Sequence, residues 1–348
     1  MKNFYLERFT DKYQKWPILV APVADELNPF KEDRIEMFAV LGYSMPYETM
    51  KFLPALGLLQ DAKEKGMLEK VTSVIDSTSG AFGLVLTELA PAEPFNVPRV
   101  TLVMKEDVPL GKRYPPYLAG ANIIPPLEGL SPIATARKLG GGGWKPNGEW
   151  KASPDGCLDL DQYANPANAL LYRTWAVPKI LEQIPDINAA VVTIGTGGTV
   201  IGLGGGFKEQ LGGEVTVVGA MCAPGYEIPG ARDLVGMKEI TLPWREAIDE
   251  RVEVETKVSY LSSLHFMWRM GITPGASSGM TYAAALKFLK AEKEKGTLDR
   301  LRNKKSGKIR VVMVFHDNFR PYVADRFTVF LPLEWQRPAT APMPWELL

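Results

Sequence analysis

The segment AAVVTIGTGGT, residues 189–199, joins a short apolar run to a turn of glycine and threonine. The run 189–194 predicts a buried strand, and a helix is expected from the turn to Gln210. Small residues at a strand-to-helix turn let backbone N–H groups converge on an anion at the positive end of the helix. The turn therefore indicates either a phosphate site or a glycine turn with a purely conformational role.

The residues that follow the turn argue against two common nucleotide-binding motifs. No Gly-Lys-Ser or Gly-Lys-Thr triplet is present, so the turn is not a P-loop. The next predicted strand, 215–221, leads into Met221-Cys222-Ala223 and lacks the acidic residue that binds a ribose in dinucleotide folds.

Outward from this turn, predicted strands and helices alternate along the chain. Each strand is a short apolar run ended by turn residues, and each helix shows apolar positions at helical spacing. The predicted strands are 18–22, 37–41, 71–75, 100–104, 189–194, 215–221 and 310–315, and the predicted helices are 51–65, 83–90, 259–270 and 280–295. This alternation predicts an α/β fold with mostly parallel sheets covered by helices.

Two segments fall outside the alternation. Residues 139–156 are rich in Gly, Pro and Lys, which predicts a flexible connector near a domain junction. The Pro-rich tail 332–348 contains Trp335 and Trp345 and is expected to be a wrapping arm, a subunit contact or a mobile tail.

Length and charge limit the classes of function. A chain of 348 residues predicts one large or two medium-sized cores, and 40 Lys and Arg residues offset 40 Asp and Glu residues. A net charge of zero favours neither nucleic acid nor an anionic membrane as a partner. The N-terminus mixes charges without an apolar stretch, and no later run of about 18 apolar residues occurs, so a cytoplasmic location is predicted.

The side chains that usually hold metals are scarce. The two cysteines, Cys157 and Cys222, lie far apart and outside any CxxC spacing, and the two histidines, His265 and His316, are too few for a multi-histidine site. No metal site is predicted, so any chemistry would depend on a lysine or on a cofactor.

Four further segments that contain small and polar residues lie at predicted turns. They are SMPYETMKF at 44–52, STSGAFG at 77–83, QYANPAN at 162–168 and GASSG at 275–279. Together with GTGGT they resemble, in the same order and over Trp16 to Tyr322, the fold-type II pyridoxal 5′-phosphate (PLP) enzymes. Within them, the resemblance is to the cysteine synthase and cystathionine β-synthase family.

The resemblance implies a tryptophan synthase β-like fold with two domains, each with a mostly parallel sheet covered by helices. A large PLP-binding domain would comprise residues 1–41 and 168–348. A smaller, mobile domain, residues 42–167, would carry the loop that binds the substrate carboxylate. The family also implies a small amino-acid substrate and a homodimer.

Residue roles follow from the matching motifs. Lys51 would hold PLP as a Schiff base and remove the α-proton, and Ser277 would meet the pyridine nitrogen, which favours chemistry at the β-carbon over transamination. The turn Gly195, Thr196, Gly197, Gly198 and Thr199 would bind the phosphate. The substrate would be held by Thr78, Ser79, Gly80, Ala81 and Gln162. Asp233 would line the substrate's side-chain end or form an ion pair at the surface, and Arg232 beside it is an alternative group for recognising an acidic leaving group such as phosphate.

Departures from the family pattern mark this chain as divergent. Ala81 and Phe82 replace the family's asparagine and threonine, and Phe52 and Leu53 follow Lys51 in place of Asp-Arg. The resemblance implies β-replacement on an activated serine or cysteine through an aminoacrylate. A β-eliminating lyase or dehydratase and an inactive scaffold of the same fold are the alternatives.

Overall fold

Two β-sheets with helices packed against them organise the chain. The structure is a computed structural model that describes residues 15–147, 149–323 and 327–348. Residues 1–14 of the predicted large domain lie outside the described residues. In the part of the chain that is described, no helix is long and apolar enough to cross a membrane.

The larger sheet has six strands in the order β1-β2-β10-β7-β8-β9. All neighbours are parallel except β1, which is antiparallel to β2. The central strand β7 is buried at every residue, as expected for a parallel strand covered on both faces. The strands are β1 Leu19–Pro22, β2 Ile35–Leu41, β7 Ala189–Thr193, β8 Thr216–Cys222, β9 Glu250–Val254 and β10 Ile309–Phe315.

The smaller sheet has four parallel strands in the order β5-β4-β3-β6. They are β3 Ser73–Ser77, β4 Arg99–Val103, β5 Asn122–Ile124 and β6 Cys157–Asp159. The predicted α/β architecture with two mostly parallel sheets is therefore confirmed. The domain boundaries at 42 and 167, and the mobility of the smaller domain, stay predictions.

The helices lie between the strands in the alternation that the sequence predicts. They are α1 Phe52–Glu64, α2 Ala81–Leu89, α3 Leu110–Leu118, α4 Pro132–Leu139, α5 Ala167–Leu171, α6 Val177–Leu181, α7 Gly205–Gln210, α8 Thr256–Met270, α9 Ala276–Glu294 and α10 Phe327–Phe330. Two π-helical turns, Tyr172–Ala176 and Val200–Gly204, precede α6 and α7 without a break.

Helix α9 begins four residues before the predicted start at residue 280. The segment 275–279 contains two glycines and two serines and therefore resembles a turn. It needs small residues because α9 packs closely against α8. A Cβ at Gly279 would collide with the carbonyl oxygen of Ser259. Ser277 thus lies in the first turn of a helix.

Two further expectations are corrected or settled. Residues 139–156 join α4 to β6, so they lie within the four-stranded unit and not between the two sheets. The tail is a wrapping arm on its own chain, with Trp335 and Trp345 packed against the core of the larger sheet. The Lys290 ammonium donates to the Leu348 carbonyl at 2.8 Å.

The carboxyl ends of three strands face the same crevice between the sheets. The turn after β3 begins at Thr78, the turn after β7 at Ile194 and the segment after β10 at His316. An isolated β-bridge pairs Thr49, just before α1, with Asp317, just after β10. Ligand sites of parallel α/β sheets lie outside the carboxyl ends of their strands, so this crevice is where a site is expected.

Candidate active site

A cavity of about 240 Å³ lies in this crevice and is lined from both sheets. Nine of the residues predicted for the site line it. They are Lys51, Thr78, Ser79, Ala81, Gln162, Gly195, Thr196, Thr199 and Ser277. Gly80, Gly197 and Gly198 belong to the same turns but do not line the cavity, and Asp233 lies outside it. Segments as far apart as 51 and 277 are thus brought together, while their roles stay predictions.

Lys51 lies directly before α1 and is fixed by its backbone neighbours. Its N–H donates to Thr49 Oγ1 at 3.1 Å, the Tyr172 hydroxyl donates to the Met50 carbonyl at 3.1 Å, and the Met50 N–H donates to the His316 carbonyl at 2.8 Å. Burial, followed by the positive charge of Lys112, lowers the pKa of the Lys51 ammonium to about 8. A lysine with a depressed pKa supplies the neutral amine that a covalent bond to a carbonyl requires.

Hydrogen bonds to the Thr78 side chain fix the conformation of the turn after β3. Its Oγ1 accepts from the N–H groups of Gly80 at 3.0 Å and Gly83 at 3.3 Å. Gly80 has φ +125°, and a Cβ there would lie 2.6 Å from the Lys112 Cβ, so the position requires glycine. Helix α2 begins directly after it, so the turn places the hydroxyls of Thr78 and Ser79 at a helix N-terminus, which suits a carboxylate.

Gln162 hydrogen-bonds to the end of β3, just before this turn, and also lines the cavity. Its Nε2 donates to the Ser77 carbonyl at 2.8 Å and to Asp76 Oδ1 at 3.3 Å, and its N–H donates to Asp76 Oδ2 at 3.1 Å. Burial, followed by the charge of Asp161, raises the pKa of the Asp76 carboxyl to about 8. The support of the turn is therefore a buried acid that holds its proton near neutral pH.

The turn after β7 has no room for side chains at two of its glycines. A Cβ at Gly195 would collide with the Gly230 carbonyl oxygen, and one at Gly198 would collide with Asn168 Oδ1. The Asn168 Nδ2 donates to Thr196 Oγ1 at 3.0 Å, while Asn168 Oδ1 is buried without a partner. The turn runs into the helical segment Val200–Gly204 and so forms a narrow backbone cradle of the kind that binds phosphate.

Ser277 lines the opposite side of the cavity from the first turn of α9. Its carbonyl accepts a hydrogen bond from Thr193 Oγ1 at 2.9 Å, which ties α9 to the end of β7. The Ser277 position therefore depends on the same strand that carries the glycine turn.

Lys112 and Asp317 are site residues that the sequence did not reveal. Lys112 is 5% exposed and Asp317 is 7% exposed, and the Lys112 ammonium lies 3.0 Å from Asp317 Oδ2. Both line the cavity with Lys51. Asp317 lies two residues after a buried strand, which was the available signal, but its partner in α3 is 205 residues away in the chain.

His316 also lines the cavity, and its Nδ1 is buried without a hydrogen-bond partner. Burial, followed by the charge of Lys51, lowers the pKa of the His316 imidazole to about 4. The ring is therefore neutral at physiological pH and adds no charge to the site.

Arg232 and Asp233 occupy different places. Arg232 lines both the main cavity and a neighbouring one of about 280 Å³, whereas Asp233 lines only the neighbour. The Arg232 guanidinium lies 5.2 Å from the centre of the Tyr163 ring and donates to the Gly236 carbonyl at 3.1 Å. Asp233 Oδ1 accepts the Gly236 N–H at 2.7 Å. Of the two residues, only Arg232 reaches the cavity.

These residues fit a bound PLP. The aldehyde of PLP requires an amine, and the cavity has a lysine with a depressed pKa. The phosphate requires a backbone cradle, and the glycine turn is too narrow for a Cβ. The neutral pyridine nitrogen requires a group such as the serine at the start of a helix. Lys51 would hold the aldehyde, the turn 195–199 the phosphate and Ser277 the pyridine nitrogen.

Comparison with known proteins agrees with this chemistry. Residues 21–300 match the family described as "Pyridoxal-phosphate dependent enzyme". The chain belongs to this family and is a PLP-dependent enzyme, as the resemblance predicted.

Within this family, the chain is similar to cystathionine beta-synthases and cysteine synthases. The chain is 29% identical over 278 residues to cystathionine beta-synthase of Apis mellifera, a match that covers 74% of this chain and 52% of that protein. It is 26% identical over 262 residues to cysteine synthase A of Escherichia coli K12, covering 71% and 78%, respectively. The chain thus spans about half of the Apis mellifera relative.

Solved structures share the fold. O-ureido-L-serine synthase superposes with a TM-score of 0.72 at 18% identity, covering 91% of this chain and 93% of that one. A hydrogen sulfide-producing enzyme from Fusobacterium nucleatum superposes with a TM-score of 0.71 at 20% identity, covering 90% and 98%. The predicted fold-type II architecture is therefore confirmed.

Proposed function

We propose that this enzyme catalyses PLP-dependent β-replacement on an activated serine or cysteine. The observation that carries the proposal is the convergence of Lys51, the Thr78–Ser79 turn and Ser277 on one cavity. When bound, PLP withdraws electrons from the α-carbon of an amino acid. A serine, unlike an aspartate, at the pyridine nitrogen leaves that withdrawal weak and favours loss of a β-substituent.

The chain's own residues would bind and orient the substrate. The hydroxyls of Thr78 and Ser79, which both line the cavity, would hold the substrate carboxylate, with Gln162 and the protonated Asp76 supporting that turn. Lys51 Nζ would then take the α-proton, because its depressed pKa lets it exist as a neutral base. Tyr163, whose hydroxyl donates to the Ser77 carbonyl at 3.1 Å, closes the wall of the cavity.

The charge of Arg232 favours an acidic leaving group. In the described part of the chain no carboxylate forms an ion pair with Arg232, although its guanidinium reaches the cavity. We propose that a phosphate ester of serine is a better donor than the acetyl ester, and that Arg232→Met reverses this order in assays of initial rate. Unchanged relative rates would remove Arg232 from substrate recognition.

The central test is product analysis of the holoenzyme. O-acetyl-L-serine or O-phospho-L-serine is supplied with sulfide, and the expected product is a β-substituted amino acid that disappears in Lys51→Ala. Lys65→Ala is the matched control, because Lys65 directly follows the helix that Lys51 precedes and its side chain is half exposed. Release of pyruvate and ammonia at the same rate with or without sulfide would instead show β-elimination.

Assembly and location belong to the same proposal. We propose a cytoplasmic homodimer, in which the domain of residues 42–167 moves against that of residues 1–41 and 168–348. Elution of the holoenzyme as a monomer in size-exclusion chromatography with light scattering would contradict the dimer.

A further inference from the structure

Lys105 and Arg232 come from different sheets and line the same two cavities. Lys105 lies two residues after β4 of the four-stranded sheet, and Arg232 lies between β8 and β9 of the six-stranded sheet. Both line the main cavity and the neighbouring cavity of about 280 Å³, together with the backbone segment 229–231. The two cations therefore lie at the junction of the two cavities.

The main cavity has more positive than negative charge. Its cations are Lys51, Lys105, Lys112 and Arg232, and among the described residues Asp317 is the one carboxylate that lines it. Asp317 pairs with Lys112 at 3.0 Å, and Lys51 is the amine that the proposed function gives to the cofactor. In the described part of the chain neither Lys105 nor Arg232 forms an ion pair. Two positive charges at the junction are thus left without a counter-ion.

The backbone of Arg232 is fixed close to the reacting lysine. Its N–H donates to the Ile194 carbonyl at 3.1 Å, and its carbonyl accepts from the Cys222 N–H at 3.1 Å. After burial and the charge of Lys112, the charge of Arg232 also contributes to the lowered pKa of the Lys51 ammonium. The guanidinium is therefore held within electrostatic reach of the place where a substrate would react.

Lys105 lies beside the turn proposed for the substrate carboxylate. The Thr78 N–H donates to the Val103 carbonyl at 3.1 Å, and Val103 lies two residues before Lys105. The Lys105 side chain is exposed, and a lysine ammonium on its flexible stem can adjust to a ligand. Lys105 is thus a candidate to contact either the carboxylate or the β-substituent of a bound amino acid.

The charges of the neighbouring cavity favour an anion at the junction. Asp107, Glu227 and Asp233 line the neighbouring cavity and do not line the main one. An anion is repelled by these carboxylates and attracted by the two cations at the junction. A phosphate ester carries close to two negative charges near neutral pH and has three acceptor oxygens, so it can bind both cations at once.

We propose that Lys105 and Arg232 together bind the phosphate group of an O-phospho-amino acid, so that Lys105 is a specificity-determining residue. This inference rests on the proposed function and adds a second cation, from the opposite sheet, to Arg232. Two cations favour a dianionic ester over a neutral acetyl ester more strongly than one cation does.

The first test compares two donors that share the carboxylate and the amine and differ in the ester. Initial rates with sulfide give KM for O-phospho-L-serine and for O-acetyl-L-serine. In Lys105→Met we expect the ratio of the phospho to the acetyl KM to rise about 5- to 10-fold, less than a buried charge would give because Lys105 is exposed. Lys105→Arg keeps the charge and should restore the ratio to within about twofold.

The matched control for these variants is Lys138→Met. Lys138 is an exposed lysine of α4, beside the same four-stranded sheet, and it lines neither of the two cavities. The KM ratio of this variant should equal that of the wild type. Thermal unfolding of each variant establishes that it is folded.

The second test needs no turnover. Calorimetric titration gives the dissociation constant of inorganic phosphate for the holoenzyme, in which the turn 195–199 would already hold the phosphate of PLP. We expect this constant to rise about fivefold in Lys105→Met and further in the double variant with Arg232→Met.

The outcomes separate this inference from the proposed function. Equal rises of both KM values would assign Lys105 to the carboxylate, and an unchanged ratio in Lys105→Met would leave Arg232 as the sole cation for the ester; each would overturn the inference. A loss of PLP affinity in Arg232→Met would assign Arg232 to the cofactor and would also overturn it. Failure of the wild type to form a β-substituted product from either donor would contradict the proposed function itself, while the phosphate titration would still decide whether the two cations bind one anion.

Discussion

Lys112→Met is expected to slow the capture of PLP by Lys51 at neutral pH. Burial and the Lys112 charge lower the pKa of Lys51 from 10.5 to about 8. At pH 7 about 10% of the amine is then neutral, against about 0.03% at the ordinary pKa, a difference of about 300-fold. Removal of Lys112 eliminates the second cause of the lowering and leaves the negative charge of Asp317 uncompensated, so the pKa of Lys51 should rise. A rise of about one unit would reduce the fraction of neutral amine at pH 7 about tenfold.

The assay is the rate at which the lysine–cofactor absorption band appears when apo-enzyme is mixed with PLP between pH 6 and pH 10. The wild-type rate should reach half of its plateau near pH 8, and the Lys112→Met rate at pH 9 or above. Lys65→Met removes the same charge from a half-exposed lysine, so its pH profile should match that of the wild type. Thermal unfolding of each variant establishes that it is folded. Coincident pH profiles of Lys112→Met and the wild type would refute the reasoning.

Two other predictions concern the glycine turn and the buried acid beneath the carboxylate loop. Gly198→Ala should weaken PLP binding at least about tenfold because its Cβ collides with Asn168, whereas Gly205→Ala, with open space around the new Cβ in α7, should bind PLP as the wild type does. Equal affinities would show that the turn does not hold the phosphate. The raised pKa of Asp76, about 8 in the folded state, means that its stabilising effect is complete below about pH 4 and is lost as pH rises through 8. Asp76→Asn should therefore show a weaker decline of the unfolding free energy between pH 5 and pH 9 in urea titrations, and parallel curves for the two proteins would contradict this.

The sequence predicted most of the strands because the buried parallel strands are continuous apolar runs. Strand β9 was not predicted because Glu250–Val254 contains three charged residues and lies on an edge of the sheet, where four of its five residues are at least partly exposed. Strand β6 was not predicted because it has only three residues, Cys157–Asp159, between a glycine-rich loop and an acidic turn. Short and edge strands carry too few apolar residues to produce a periodic signal.

The residues of the site likewise divide into those that the sequence predicts and those that only the structure reveals. Turns that carry several small residues, such as 77–83 and 195–199, are visible in the sequence because close backbone approach requires those residue types. Lys112 is an ordinary lysine in its own segment, and only the contact of α3 with the segment after β10 places it beside Asp317. A single charged residue whose partner is distant in the chain gives no local signal, so the pair emerges only from tertiary structure.

The most direct test of the account is to identify the residue that binds PLP. The holoenzyme is reduced with borohydride, digested and mapped for the pyridoxyl adduct by mass spectrometry, with Lys51→Ala treated in parallel. The account predicts one adduct on Lys51 and none in the variant. An adduct on Lys112, a buried lysine that also lines the cavity, or an unchanged adduct in Lys51→Ala would contradict it.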